Sequence, residues 1–281
     1  MKKIVVPYDF SDISRHSLDF AVQLAYKGGG EVTLFHVIEH PSASRMKTMG
    51  ISDVDPMEVM YMKRLIEQTE KKMAEAIADA GNANVSVRAE IKLGNPDEEL
   101  VEEVESNGCD LIVMGTTGAE GLEEFFIGSF SEKIVRNASC PVVTVRNKAN
   151  ADIIKEIVFA SDFEKVDENF VNRMLAFRDL LGARLRIVII NTPASFTSSR
   201  LDNKLLDKFV AKYNILNYTT EIYNYSNEED GIIAYAEDIG AHMIALGTNQ
   251  LKGVRHFLKG SIAEDVVNHA QVPVWTFHLK N

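Results

Sequence analysis

The residues in this chain best placed to do chemistry are Gly115-Thr116-Thr117-Gly118, followed after nine residues by Gly128-Ser129. Glycines let backbone N–H groups approach an anion with no Cβ in the way. A helix opening after Gly128 adds oriented donors and the positive end of a helix dipole, and Ser129 adds a hydroxyl. The apolar run Leu111-Ile112-Val113-Met114 before the glycines reads as a buried strand. The spacing therefore predicts a phosphate cradle at a strand-to-helix junction. Neither GxxxxGK[ST] nor a GxGxxG after the first strand is present, so the ordinary P-loop and dinucleotide readings fail. Asp9 stands at the end of the first apolar run, where a carboxylate either faces a ligand or caps the following helix. His36, beside Val37, reads as a packed or hydrogen-bonded histidine with no catalytic partner.

Other chemistries find little support. There is no GxSxG nucleophile elbow and no His/Glu/Asp cluster at metal-ligand spacing. The two cysteines, Cys109 and Cys140, form no CxxC motif and read as buried thiols. Glu98, Glu99, Glu102, Glu103 and Glu105 read as one solvated helix face. Met46, Met49, Met57, Met60 and Met62 read as helix packing, with a flap over the crevice as the sharper alternative. A net charge of -11 opposes nucleic-acid binding. No apolar run approaches the roughly 18 to 20 residues of a membrane span, and the first one breaks at Tyr8-Asp9, too early for a signal peptide. A cytoplasmic protein without nucleic-acid or membrane partners is expected.

The elements that must position the glycines occur twice. Ile4-Val5-Val6-Pro7-Tyr8-Asp9-Phe10 aligns with Ile157-Val158-Phe159-Ala160-Ser161-Asp162-Phe163. Leu111 to Thr116 aligns with Met243 to Thr248, Gly128-Ser129 with Gly260-Ser261, and Val142 to Val145 with Val274 to Phe277. Within each copy, short apolar runs alternate with helix-period segments, the pattern of a parallel sheet covered by helices on both faces. Five strands per copy are predicted, the first set near residues 3 to 8, 31 to 38, 84 to 92, 110 to 114 and 142 to 146. Ser11 or Asp12 is positioned to cap a helix carrying Leu18, Ala21, Val22 and Ala25 inward, with Gly28-Gly29-Gly30 to end it. Asn95-Pro96 starts another. A polar linker places the boundary near Asn150, giving copies at residues 1–147 and 151–281.

The Gly-x2-Gly-x9-Gly-Ser pattern, set between Asp110-Leu-Ile-Val-Met-Gly115 and Ser131-Glu132-Lys133-Ile134-Val135, resembles the signature of the universal stress protein family. The resemblance covers nearly the whole chain, twice. It implies an α/β fold of two tandem doubly wound parallel sheets, strand order 3-2-1-4-5, with a crevice at the carboxyl ends of strands one and four. It implies that Asp9 and Val37 hold adenosine and that Gly115, Gly118, Gly128 and Ser129 hold phosphates, with Pro7, Met114, Phe130 and Ser131 beside them. The implied ligand is ATP or ADP, with Mg²⁺ as its usual companion. The implied role is stress regulation through unknown protein partners, with a slow ATPase, a self-phosphorylating protein and a nucleotide-independent interaction protein as alternatives.

The second copy departs from the pattern. Asp162, Gly247, Gly260 and Ser261 match, but Gln250 replaces the residue equivalent to Gly118 and would obstruct close backbone approach. Lys252, Arg255, His256 and Lys259 in its loop, against Glu120, Glu123 and Glu124 in the first, point the other way. Exposed loop charges are screened within roughly 8 to 10 Å, so the first site is favoured. The closing strands of both copies are edges that want pairing. An intramolecular pseudo-dimer is expected, and homodimerisation stays open.

Overall fold

The computed structural model describes residues 1–39, 55–80, 84–116, 128–164, 166–248 and 262–278. In the first half, β1 (Lys3–Pro7), α1 (Asp12–Gly28), β2 (Glu31–Ile38), α2 (Pro56–Asp79), β3 (Ser86–Leu93), α3 (Pro96–Asn107), β4 (Leu111–Gly115), α4 (Ser129–Asn137) and β5 (Val142–Val145) alternate. The second half repeats the order with β6 (Glu156–Ala160), α5 (Glu168–Leu181), β7 (Arg184–Asn191), α6 (Ser199–Tyr213), β8 (Tyr218–Asn224), α7 (Glu228–Asp238), β9 (Met243–Thr248), α8 (Ile262–His269) and β10 (Val274–His278).

Local chemistry sets the helix ends. Ser11 caps α1 by accepting from the Ser14 amide, and Gly29 ends it in the left-handed conformation, φ 59°. Leu18, Ala21, Val22 and Ala25 of α1 are all buried. Asn95 caps α3 through the amides of Asp97 and Glu98, with Pro96 in the first turn.

Each half has the expected strand order, but the two sheets are not separate. They form one ten-stranded sheet, β3-β2-β1-β4-β5-β10-β9-β6-β7-β8. Neighbours within each half are parallel; β5 and β10 meet antiparallel, with Val143 beside Trp275. The physical reason is the edge problem: each half leaves its fifth strand's N–H and C=O groups unpaired, and the other half supplies partners. Apolar clusters on both faces cross this seam. One includes Ile4, Leu18, Val143, Phe159 and Trp275, the other Val5, Ile112, Ile134, Val158 and Val267.

Candidate functional site

Strands β1 and β4 lie side by side, yet their ladder comprises only the pairs Ile4–Leu111 and Val5–Ile112. By contrast β1 pairs with β2 as far as Pro7, and β4 pairs with β5 as far as Gly115. The two strands therefore splay towards their carboxyl ends, at the point where the strand order reverses. A ligand crevice in an open α/β sheet forms at such a point.

Asp9 is exposed at the β1 side of this opening. Its Oδ1 accepts from the Ser11 amide at 3.0 Å and the Ser11 hydroxyl at 2.6 Å. Ser11, not Asp9, is the cap of α1; the carboxylate orients that cap. Between them Phe10 adopts φ 67°, and its counterpart Phe163 adopts φ 56°. Non-glycine residues rarely hold this conformation, so the repeated Asp-Phe pair marks a repeated turn of the backbone. The Phe10 ring packs edge-on against Tyr8 and at 4.8 Å from His36. His36 is a structural residue here: its Nδ1 is 2.6 Å from the Tyr8 carbonyl oxygen.

Val37, Met114 and Phe130 pack into one apolar cluster with Val5 and Phe35. Pro7, half-buried, pairs with Phe35 in the β1–β2 ladder. These residues form an apolar floor on one face of the sheet beneath the opening.

On the β4 side the two described ends of the glycine segment are drawn together. The Gly128 amide donates to the Thr116 carbonyl at 2.8 Å, and the Ser131 hydroxyl donates to the Gly115 carbonyl at 2.9 Å. Ser131 is thus buried and its hydroxyl is used to pin the strand end. Helix α4 opens at the half-buried Gly128 and the exposed Ser129, with no side chain among the described residues capping its first amides. Amides at such a helix start suit an anion. Among the described residues, a Cβ on Gly128 would meet only the Thr116 carbonyl oxygen, at 3.8 Å. Its φ of -60° suits any residue. Neither the packing of the described residues nor the backbone conformation asks for glycine there. Thr116 is buried, and its Oγ1 has no hydrogen-bond partner among the described residues. Gly118 lies outside the described residues, as do Thr117, Glu120, Glu123 and Glu124.

In the second copy Asp162 is exposed and accepts from the Glu164 amide at 3.1 Å. Gly247 is the last residue but one of β9, which ends at Thr248, whose buried Oγ1 also lacks a partner among the described residues. Gln250, Gly260, Ser261 and the basic loop residues Lys252, Arg255, His256 and Lys259 lie outside the described residues. At the exit of β7 the hydroxyls of Thr192 and Ser195 both reach Glu228 Oε1, at 2.9 and 2.7 Å. Sequence spacing gives no sign of this network, because its members come from the loop after β7 and the first turn of α7, 36 residues apart.

The acidic stretch is not a single solvated face. Glu98, Glu102 and Glu105 are exposed, but Glu99 and Glu103 are buried on α3. Helical spacing turns those two inward, where Lys92 lies 4.0 Å from Glu103. The hydrogen bond that the Lys92 amine donates to the Glu90 carboxylate at 2.9 Å holds that amine above its usual range, against the opposing effect of burial. Of the methionines, Met62 is buried while Met57 and Met60 are exposed on α2; Met46 and Met49 lie outside the described residues. No group of three or more metal-ligating side chains occurs among the described residues, and no described helix is long and apolar enough to cross a membrane.

The chain matches the universal stress protein family over residues 1–146 and again over residues 154–278. A universal stress protein of Methanocaldococcus jannaschii is 32% identical over 145 residues, 52% of this chain and 82% of that protein. A second from the same organism is 28% identical over 155 residues, 52% of this chain and 96% of that protein. In structure, a universal stress protein from Archaeoglobus fulgidus superposes with a TM-score of 0.72 at 21% identity, covering 98% of this chain and 97% of that one. At that identity the shared property is the fold.

Proposed function

The chain belongs to the universal stress protein family, with two copies of the family's domain in tandem, and on that premise we propose that its first copy binds an adenine nucleotide. The copies are proposed to span residues 1–147 and 151–281. The observation that supports the site best is Gly128: a glycine that nothing described in the protein requires, at the opening of a helix that no described side chain caps. A ligand phosphate lying against that backbone accounts for the missing side chain. Gly115, Gly118 and Ser129 complete the phosphate end of the proposed site, with Ser131 pinning the β4 exit. Pro7, Val37, Met114 and Phe130 supply the apolar surface for the base and sugar, and Asp9 the polar group at its edge. ATP or ADP fits this division of polar and apolar groups, and Mg²⁺ would accompany the triphosphate. The protein acts as a cytoplasmic binding module whose crevice loops respond to occupancy during stress, and no catalytic group is assigned.

Mass spectrometry of nucleotide released from the purified, denatured chain tests this reading. One equivalent of ATP or ADP per chain is expected, and Gly118→Gln is expected to lose it. In Gly128→Ala the described neighbours leave space for the added Cβ, so the fold is expected to survive while affinity falls by about tenfold, or ~1.4 kcal/mol. No released nucleotide, together with none bound on titration, would move the protein to the nucleotide-independent interaction reading.

A further inference from the structure

The chain has two cysteines, 31 positions apart in sequence, and the fold brings them together. Strands β4 and β5 run parallel with Ile112 beside Val142, and the Ile112 amide donates to the Pro141 carbonyl at 2.9 Å. Cys109 and Cys140 therefore lead into neighbouring strands at the same, amino-terminal edge of the sheet. Both side chains join the same apolar cluster, and the register that sets Ile112 beside Val142, carried two residues back along both chains, brings Cys140 level with Asp110, the residue next to Cys109. Cys140 is only 2% exposed, whereas Cys109 is half-buried. The Cys109 thiol also donates to the Leu111 carbonyl at 3.1 Å. Gly108, immediately before it, has φ 67° and open space where a Cβ would be. Cys109 thus follows an uncrowded turn, and Cys140 is buried in the apolar cluster.

We propose that Cys109 and Cys140 are a peroxide-oxidisable dithiol that closes to an intramolecular disulfide. The Cys109 thiolate attacks one oxygen of hydrogen peroxide; the O–O bond breaks, Cys109 becomes a sulfenic acid and hydroxide leaves. The Cys140 sulfur then attacks the Cys109 sulfur; the S–S bond forms, the S–O bond breaks, and water leaves with the Cys140 proton. Overall, two thiols and one peroxide give one disulfide and two waters. The order follows from access, since Cys109 is the thiol that peroxide reaches. The hydrogen bond with Cys109, followed by burial, pushes the Cys140 thiol up, which keeps it protonated until that step. The closed loop would contain β4, the whole Gly115 to Ser129 segment and α4, tying the proposed cradle to a redox event at the other end of the same strand. The thiol chemistry does not depend on the nucleotide reading.

The test treats the full-length protein with hydrogen peroxide, unfolds it and counts thiols by mass spectrometry. Support is a monomer lighter by two hydrogen atoms, both thiols lost, a crosslinked peptide joining Cys109 to Cys140, and full reversal by dithiothreitol. Cys140→Ser is expected to halt at a Cys109 sulfenic acid that dimedone captures, and Cys109→Ser to leave Cys140 unoxidised at the same dose. Survival of both thiols in the wild-type chain, over-oxidation of Cys109 alone, or a disulfide only between two chains overturns the proposal.

Discussion

At Phe10 the backbone takes a left-handed turn that costs on the order of 1–3 kcal/mol for a residue with a Cβ, and Phe163 repeats it. The paired rings offset that cost by packing, Phe10 on Tyr8 and Phe163 on Phe159 and Phe209. A β-branched residue tolerates this conformation least and asparagine well. Phe10→Val is therefore expected to lower stability by about 2 kcal/mol more than the ring loss alone, and Phe10→Asn is the control. Equal urea midpoints for the two variants would remove backbone strain from the account. Asp110 gives a pH prediction. Burial alone would raise its carboxyl, but the backbone amides of Lys2 at 2.5 Å and Lys3 at 3.1 Å donate to it and hold it below the usual range. A carboxylate depressed on folding stabilises above its unfolded value, about 4, and loses that contribution as pH falls through the lower folded value. Urea midpoints at pH 7 and pH 3 are expected to differ less in Asp110→Asn than in wild type. The repeated Asp-Phe was visible in the sequence, but its meaning was not, because φ is set by where the chain must go after the strand. Nor was the meeting of Cys109 with Cys140, which depends on β4 and β5 being neighbours.

Elements were read more completely than residues. The strands near 3 to 8 and 31 to 38, a cap at Ser11 or Asp12, the Asn95 cap and a helix opening after Gly128 all follow from local chemistry that tertiary contacts do not override; the structure chooses Ser11 of the first pair. In the acidic helix a run of glutamates hides which members face inward; α3 buries Glu99 and Glu103 despite their charge. Helix α4 shows what local reading cannot reach. Its Arg136 holds Glu132 one turn away at 3.0 Å and Glu264 of α8 at 2.7 Å. Glu132 and Glu264 occupy equivalent positions in the two copies, so a single guanidinium ties together the helices that follow both glycine segments. Glu264 is buried and Arg136 half-exposed. Removing the arginine leaves a buried carboxylate short of a partner, at an expected cost of about 1–3 kcal/mol, less than for a fully buried pair. Arg136→Ala is expected to destabilise far more than Glu132→Ala, and a double-mutant cycle between Arg136 and Glu264 should return a coupling that the Glu132 pair lacks.

At the scale of the molecule, the seam between β5 and β10 decides whether this chain behaves as two domains or one. Sequence repetition argues for two units, each with its own sheet, but both apolar clusters run across the seam. Trp275, fully buried beside Val143, packs against Phe170 and Phe177 of α5. A half separated from its partner would expose this strand edge and open both clusters, so neither half has an intact core alone. Trp275 is the chain's only tryptophan, which makes its fluorescence a reporter of the seam. Unfolding in urea is expected to give coincident transitions by tryptophan fluorescence and by far-ultraviolet circular dichroism. Trp275→Ala, which empties a large site in the shared core, is expected to cost about 3–5 kcal/mol and to shift the dichroism transition as a whole, without splitting it. A fluorescence change that precedes the loss of helix would mean that the seam opens first and that the halves stand as separate folding units; coincidence would mean that the ten-stranded sheet is the unit that folds.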